Sequence, residues 1–242
     1  MFGLVFGSFL NVCIYRLPRE LSVVRPGSAC PQCGQAIHFY DNIPVLSWLL
    51  LRGRCRHCAT GISASYPVVE LCTGLLYAAV VLAKDDTRDI VLGLLLVTVL
   101  VPVTLIDLEH RIIPNRITAP GAILALVIGL SLDPGGEPER LIAGASAGGF
   151  LLLAALAYPG GMGMGDVKLA GVMGLFLGRA VAPALLVALL AGVLAGAAVI
   201  ARNGAREGRK TAVPFGPFLA LGAVVAVFAG QDLVGLYLNH FL

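Results

Sequence analysis

Apolar residues in this chain do not alternate with polar ones. They gather into runs near residues 2–15, 66–83, 89–106, 117–132, 140–158, 166–178, 181–201 and 213–238. About 20 helical residues cross the roughly 30 Å of hydrocarbon in a bilayer, and most of these runs approach that length. Helices are the expected form, because lipid offers backbone N–H and C=O groups no partners. The pattern predicts an all-α polytopic membrane protein with about eight transmembrane helices. Only residues 16–65 form a long polar stretch. Three parts follow: a first transmembrane helix over 1–15, a polar domain over 16–65 and a membrane domain over 66–242. The run from Asp166 is short enough for a tilted or re-entrant helix, and Gly230 is placed to break the last one. The first run is also short, so it crosses with little tilt, borrows neighbouring residues, or starts upstream of the present Met1.

Composition agrees with a lipid environment: of 242 residues, 58% are hydrophobic and 13% charged, with a mean hydropathy of +0.90. Charge placement says more than its sum. No Lys or Arg precedes the first run, whereas Arg16, Arg19 and Arg25 follow it, the reverse of a cleaved signal peptide. Assigning loops alternately puts 13 of the 17 Lys and Arg on the side that receives residues 16–65, among them Arg52, Arg54, Arg56, Arg111, Arg116 and Lys168. The positive-inside rule makes that side cytoplasmic and places the amino terminus outside. A net charge of +3 without a basic, aromatic-laced stripe gives no case for a nucleic-acid partner. The 30 glycines, as at Gly144, Gly148, Gly149, Gly192 and Gly196, are expected mainly to let helices pack closely.

The polar stretch carries Cys30-Pro-Gln-Cys33 and, 21 residues on, Cys55-Arg-His-Cys58. Two such knuckles can supply four thiolates to a tetrahedral Zn²⁺, so a small cytoplasmic zinc-binding segment is expected. Four thiolates leave no coordination position open, which makes the zinc structural and leaves His38 and His57 outside it. Metal would hold together a segment too small for a hydrophobic core of its own. Cys13 and Cys72 lie within spans and read as small buried hydrophobes.

Carboxylates are scarce, and those near spans include Glu70, Asp107, Glu109 and Asp166. Acids at such positions are costly and are functional candidates by default. Asp107 closes the third run, and Asp166 follows Gly160-Gly161-Met162-Gly163-Met164-Gly165 and opens the sixth; counting crossings puts both on the cytoplasmic side. Two carboxylates at one depth converge when their helices pack. Within hydrogen-bond reach they share a proton near neutral pH, one acting as general base on water and the other as acid. Individually, Asp166 also reads as a helix N-cap and Asp107 as a solvated helix end. Gly163 and Gly165 suit a segment that admits an extended peptide beside the acid. Lys168 either biases the aspartate's ionisation or anchors the helix end.

At these residues the sequence strongly resembles the type IV prepilin leader peptidases, bacterial members of the GxGD class of intramembrane aspartyl proteases that also includes presenilin. The likeness covers nearly the whole chain: Gly7 through Pro18, the double Cys-x-x-Cys, Tyr66 through Leu71, Asp107 through Asn115, Gly163 through Leu169, and Pro214 through Pro217. It implies cleavage of a basic leader after a glycine, on the cytoplasmic side of the bacterial inner membrane, from type IV prepilin or pseudopilin substrates. Asp107 and Asp166 fall on the family's catalytic aspartates. It further implies N-methylation of the new amino terminus with S-adenosylmethionine. Residues such as Glu70 are guesses for that donor's site, which no glycine loop in the polar segment betrays. The clearest departure is the short amino terminus, since the family often has more residues before its first motif. A membrane-inserted prepilin presents its cleavage junction at the cytoplasmic interface, and the arginines of the zinc segment favour anionic lipid over a basic leader as a contact. Two other readings compete. A transporter would hold its acids near the bilayer midplane rather than at span ends, and a zinc-stabilised scaffold leaves Asp107 and the Gly-x-Gly-Asp166 motif unexplained.

Overall fold

The computed structural model describes residues 1–158, 161–204 and 213–241. Gly160 and the basic residues Arg206, Arg209 and Lys210 lie outside the described residues. The chain divides into two compact units, Met1–Leu82 and Ala83–Leu242.

In the first unit, α1 (Phe2–Arg16) ends in a left-handed turn at Glu20, and the polar segment follows with one short helix, α2 (Leu46–Leu50), before α3 (Ser65–Ala83). Side chains tie the segment down. The Asn11 amide donates to the Tyr66 carbonyl at 3.1 Å, the Trp48 indole N–H donates to the Ile62 carbonyl at 3.0 Å, and buried Glu70 accepts the Val45 N–H at 2.7 Å. Arg56 and Asp41 pair on the surface, which holds the Asp41 carboxyl below the usual carboxylate range.

The second unit contains α4 (Thr87–His110), α5 (Asn115–Leu132), α6 (Glu137–Ala157), α7 (Met164–Leu177), α8 (Val181–Asn203) and α9 (Gly216–Phe241). α4 buries Leu96, Val97, Val103 and Ile106 almost completely. α6 packs on α7 and α8 on α9, while α5 and α9 both touch α4 and α7. Both pairs approach closely at glycines: a Cβ on Gly174 would lie 2.5 Å from Cα of Gly144, and one on Gly222 would run into the Ala184 carbonyl of α8. Gly148 also faces α7, but Gly149 and Gly196 face open space, so only part of the glycine content serves helix packing. At the opposite end from Asp107 in α4, Arg88 donates to Asp133 at 2.9 Å, and buried Arg140 donates to Asp133 at 3.0 Å and Glu137 at 3.1 Å. This network joins the start of α4 to the α5–α6 turn.

Among the described residues, eight long helices coincide with the eight expected apolar runs. By length and apolarity alone, six stretches can cross a membrane, because Met164–Asn203 counts as one and the 15 residues of α1 fall short. A turn at Gly178–Ala180, opened by the positive φ of Gly178, separates α7 from α8. α9 runs through Gly230 unbroken.

Candidate active site

Asp107 does not end its helix. α4 continues to His110 and stops at Arg111, which adopts the left-handed conformation and donates its N–H to the Asp107 carbonyl at 2.9 Å. The Asp107 side chain is therefore fixed on a formed helical turn, and it is 5% exposed. Its Oδ2 accepts the backbone N–H of Gly216 at 2.9 Å. Gly216 is the first residue of α9, so its N–H has no partner within its own helix and is available to an acid. Absence of a side chain is what permits the contact: a Cβ on Gly216 would lie 2.7 Å from Asp107 Oδ2.

Asp166 is the third residue of α7 and is 8% exposed. Its N–H donates to the Gly163 carbonyl at 3.1 Å, and its Oδ2 reaches back to accept the Gly163 N–H at 3.1 Å. It thus caps its helix from within the first turn, where the helix dipole favours a negative charge. Gly165 lets this turn close on the α4–α5 connection, since a Cβ there would lie 2.9 Å from Cβ of Ile113. Lys168 turns to Asn115 instead of an acid, donating from Nζ to Oδ1 at 3.1 Å and tying the first turns of α7 and α5 together.

The helices that carry the two carboxyl groups, α4 and α7, touch each other. No hydrogen bond joins the two acids among the described residues, and each commits Oδ2 to a backbone N–H. That is an arrangement able to hold a water or a peptide carbonyl with two oxygens whose helices are fixed independently. Gly216 is the part that sequence reasoning missed. Pro214 through Pro217 stood out as a matching stretch, but nothing local in it points to a residue 109 positions away.

In the other unit the cysteines form two similar knuckles. The Cys30 N–H donates to the Gln35 carbonyl and the Gly34 N–H to the Cys30 carbonyl, both at 2.9 Å; the Cys55 N–H donates to the Thr60 carbonyl at 2.8 Å and the Ala59 N–H to the Cys55 carbonyl at 3.0 Å. The left-handed position is Gly34 in one and Ala59 in the other. The four Sγ atoms lie within 4.8 Å of one another, with Cys30 and Cys58 3.8 Å apart, so the quartet can hold a metal ion. Hydrogen bonding from Thr60, its backbone N–H first, lowers the Cys58 thiol to about 6, while burial and the neighbouring sulfurs raise Cys33 to about 11. His38 and His57 face each other with ring centroids 6.2 Å apart and are not among the grouped ligands.

The helices and the acid pair define a multi-pass membrane protein with two buried carboxyl groups and a separate four-cysteine centre. The chain belongs to the Type IV leader peptidase family: that family's profile matches residues 94–201, and the profile of the Bacterial Peptidase A24 N-terminal domain matches residues 1–84. A protein of Aeromonas hydrophila is 36% identical over the full chain and 93% of its own length, and one of Bacillus subtilis is 33% identical over the full chain and 97% of its own. One of Myxococcus xanthus is 43% identical over 76% of this chain, a match that spans 57% of the Myxococcus protein. All three bear the name prepilin leader peptidase/N-methyltransferase. No solved structure matches the chain.

Proposed function

We propose that this chain is an aspartyl endopeptidase of the bacterial inner membrane that removes the leader of type IV prepilins or pseudopilins, cutting after a glycine on the cytoplasmic side. The observation that carries this is the Asp107 and Asp166 pair, buried and fixed by backbone donors, in a chain whose relatives bear that name. Neither acid has a serine or cysteine nucleophile in its motif, so the chemistry expected is water attack. One carboxylate takes a proton from water as the oxygen attacks the scissile carbonyl. The other, protonated, donates to that carbonyl; as the tetrahedral diol collapses, the first acid passes the proton it took from water to the leaving amine and the second recovers one from the diol hydroxyl. Which acid starts protonated belongs to the pair as a whole. The Gly216 and Gly163 N–H groups hold the two carboxyls in place while the proton moves.

S-adenosylmethionine would supply the methyl group for the new amino terminus, as the relatives' second name suggests. The metal is zinc in a structural role. Zn–S bonds of about 2.3 Å in a tetrahedron put sulfurs about 3.8 Å apart, which is the Cys30–Cys58 separation. Lys and Arg placement supports a cytoplasmic zinc segment, both acids on the cytoplasmic side of the membrane and the first residue outside.

The test uses purified full chain in liposomes with a model prepilin bearing a basic leader. Mass spectrometry should find one cut, after the glycine that precedes the apolar helix. Intact prepilin, or cuts elsewhere, would reject the peptidase reading.

A further inference from the structure

Residues 43–51 lie within the polar segment yet read Ile-Pro-Val-Leu-Ser-Trp-Leu-Leu-Leu. Leu46, Leu49 and Leu50 are spaced three and four apart, so they share one face of α2. Each is about half exposed or more, whereas Ser47 is buried. The depth of this open apolar face in the fold says what covers it.

The start of α2 is fastened to the membrane helices. The Val45 N–H, just before α2, donates to Glu70 at 2.7 Å. Glu70 lies against α1, where a Cβ on Gly7 would come within 2.7 Å of its Cα. At 1.5 Å per residue, Glu70 is about 8 Å inside α3 from Ser65, and Gly7 is about 14 Å inside α1 from Arg16. Pro44 in turn lines a cleft with Val5, Ser8 and Phe9 of α1. Two separate contacts thus set residues 44 and 45 level with the middle of α1, where Phe6 and Phe9 are also exposed.

Backbone at membrane depth must find partners within the protein, and here it does. The Ile43 N–H donates to Ser47 Oγ at 3.1 Å, and the Val45 N–H is taken by Glu70. The N–H groups of Ser47, Leu49 and Leu51 donate to the carbonyls of Ile43, Val45 and Ser47 at 3.0, 3.1 and 2.9 Å. The Ser47 hydroxyl donates to the Tyr40 carbonyl at 2.9 Å and the Trp48 indole to the Ile62 carbonyl, so both polar side chains are satisfied internally. Arg52 and Arg54 follow at once, both exposed. Among the described residues neither pairs with an acid, unlike Arg56. An open apolar face followed by unpaired cations is the pattern of a segment that enters the interface and leaves its charges at the headgroups.

We propose that residues 43–51 dip into the leaflet next to the cysteine segment, with Leu46, Leu49 and Leu50 among the acyl chains and Arg52 and Arg54 on anionic headgroups. The occupant of the open face is lipid, and α2 holds the cysteine segment against the bilayer.

Trp48 is the chain's single tryptophan and reports on α2 directly. The full chain in phosphatidylcholine vesicles is titrated with lipid brominated in the upper acyl chain and, separately, with acrylamide in the water. Bromolipid should quench Trp48 strongly and acrylamide weakly; the reverse would place α2 in water and overturn the proposal. Trp48→Phe combined with Leu49→Trp moves the reporter onto the open face itself and should show the same order. If neither quencher reaches it there, protein covers the face and the lipid assignment fails. It fails equally if added model prepilin displaces the bromolipid, which would give the face to the substrate's apolar helix. Quenching by brominated phosphatidylglycerol relative to brominated phosphatidylcholine measures the headgroup preference. That preference should fall about fivefold for each charge removed in Arg52→Gln and Arg54→Gln, and an unchanged ratio in the double variant would overturn the headgroup assignment.

Discussion

Replacing Gly216 by alanine should damage the acid pair without touching either acid. The new Cβ would fall 2.7 Å from Asp107 Oδ2 and 3.1 Å from its Cγ, and the bond it disturbs is the 2.9 Å contact from the Gly216 N–H. Carbon does not approach oxygen that closely, so either the start of α9 retreats or the carboxyl turns away. Both lengthen the hydrogen bond. A bond to a charged group contributes about 1.5–3 kcal/mol, and about 1.4 kcal/mol corresponds to tenfold in rate. The expected loss in kcat is therefore about ten- to a hundredfold. Because Gly216 opens α9, the helix itself should form normally, and alanine is the better helix former. Initial rates of prepilin cleavage in liposomes, with circular dichroism and thermal melts as controls for folding, decide the matter. Wild-type kcat in a folded Gly216→Ala chain would refute the claim that this N–H holds Asp107 for catalysis.

Other consequences follow from the same geometry. Stripping the metal with a chelator should open residues 30–58 to proteolysis while the membrane helices stay protected, because the four thiolates lie in that segment alone; unchanged cleavage patterns would argue against a structural metal. Ala59→Gly should stabilise the second knuckle by up to about 1 kcal/mol, since Ala59 has a φ of 57° where its counterpart is already Gly34; a lower affinity for zinc in the variant would contradict this. Gly174→Ala should cost about 1–3 kcal/mol by forcing α6 and α7 apart at Gly144, read as a lower melting temperature in detergent; an unchanged melt would mean that the helices yield more easily than their backbone contact suggests.

Much of the fold was legible because lipid imposes a simple rule. Apolar runs become helices, and the eight runs match α1 and α3 to α9 within a few residues. The cysteine quartet was legible for a similar reason, since Cys-x-x-Cys spacing makes a knuckle locally and two knuckles bring four sulfurs together. What escaped were contacts between residues distant in sequence or decided by backbone alone. Asp107 looked like a helix end because Glu109, His110 and Arg111 are polar, yet the left-handed Arg111 closes the helix four residues later. Lys168 was weighed against Asp166 because the two are neighbours in sequence, but its partner is Asn115 on α5. Glu70, a functional candidate by its place near a span, holds the Val45 N–H. The Gly216 contact could not be read locally, because its function lies in an N–H and a missing Cβ.

The most direct test of the account compares prepilin cleavage by wild type, Asp107→Asn and Asp166→Asn, after melts establish that all three fold. Asparagine keeps the size and can still accept the Gly216 or Gly163 N–H, but it cannot carry the proton. The account predicts loss of cleavage by at least about a thousandfold in each variant. Wild-type cleavage in either one would remove that aspartate from the mechanism and return the chain to the transporter or scaffold readings.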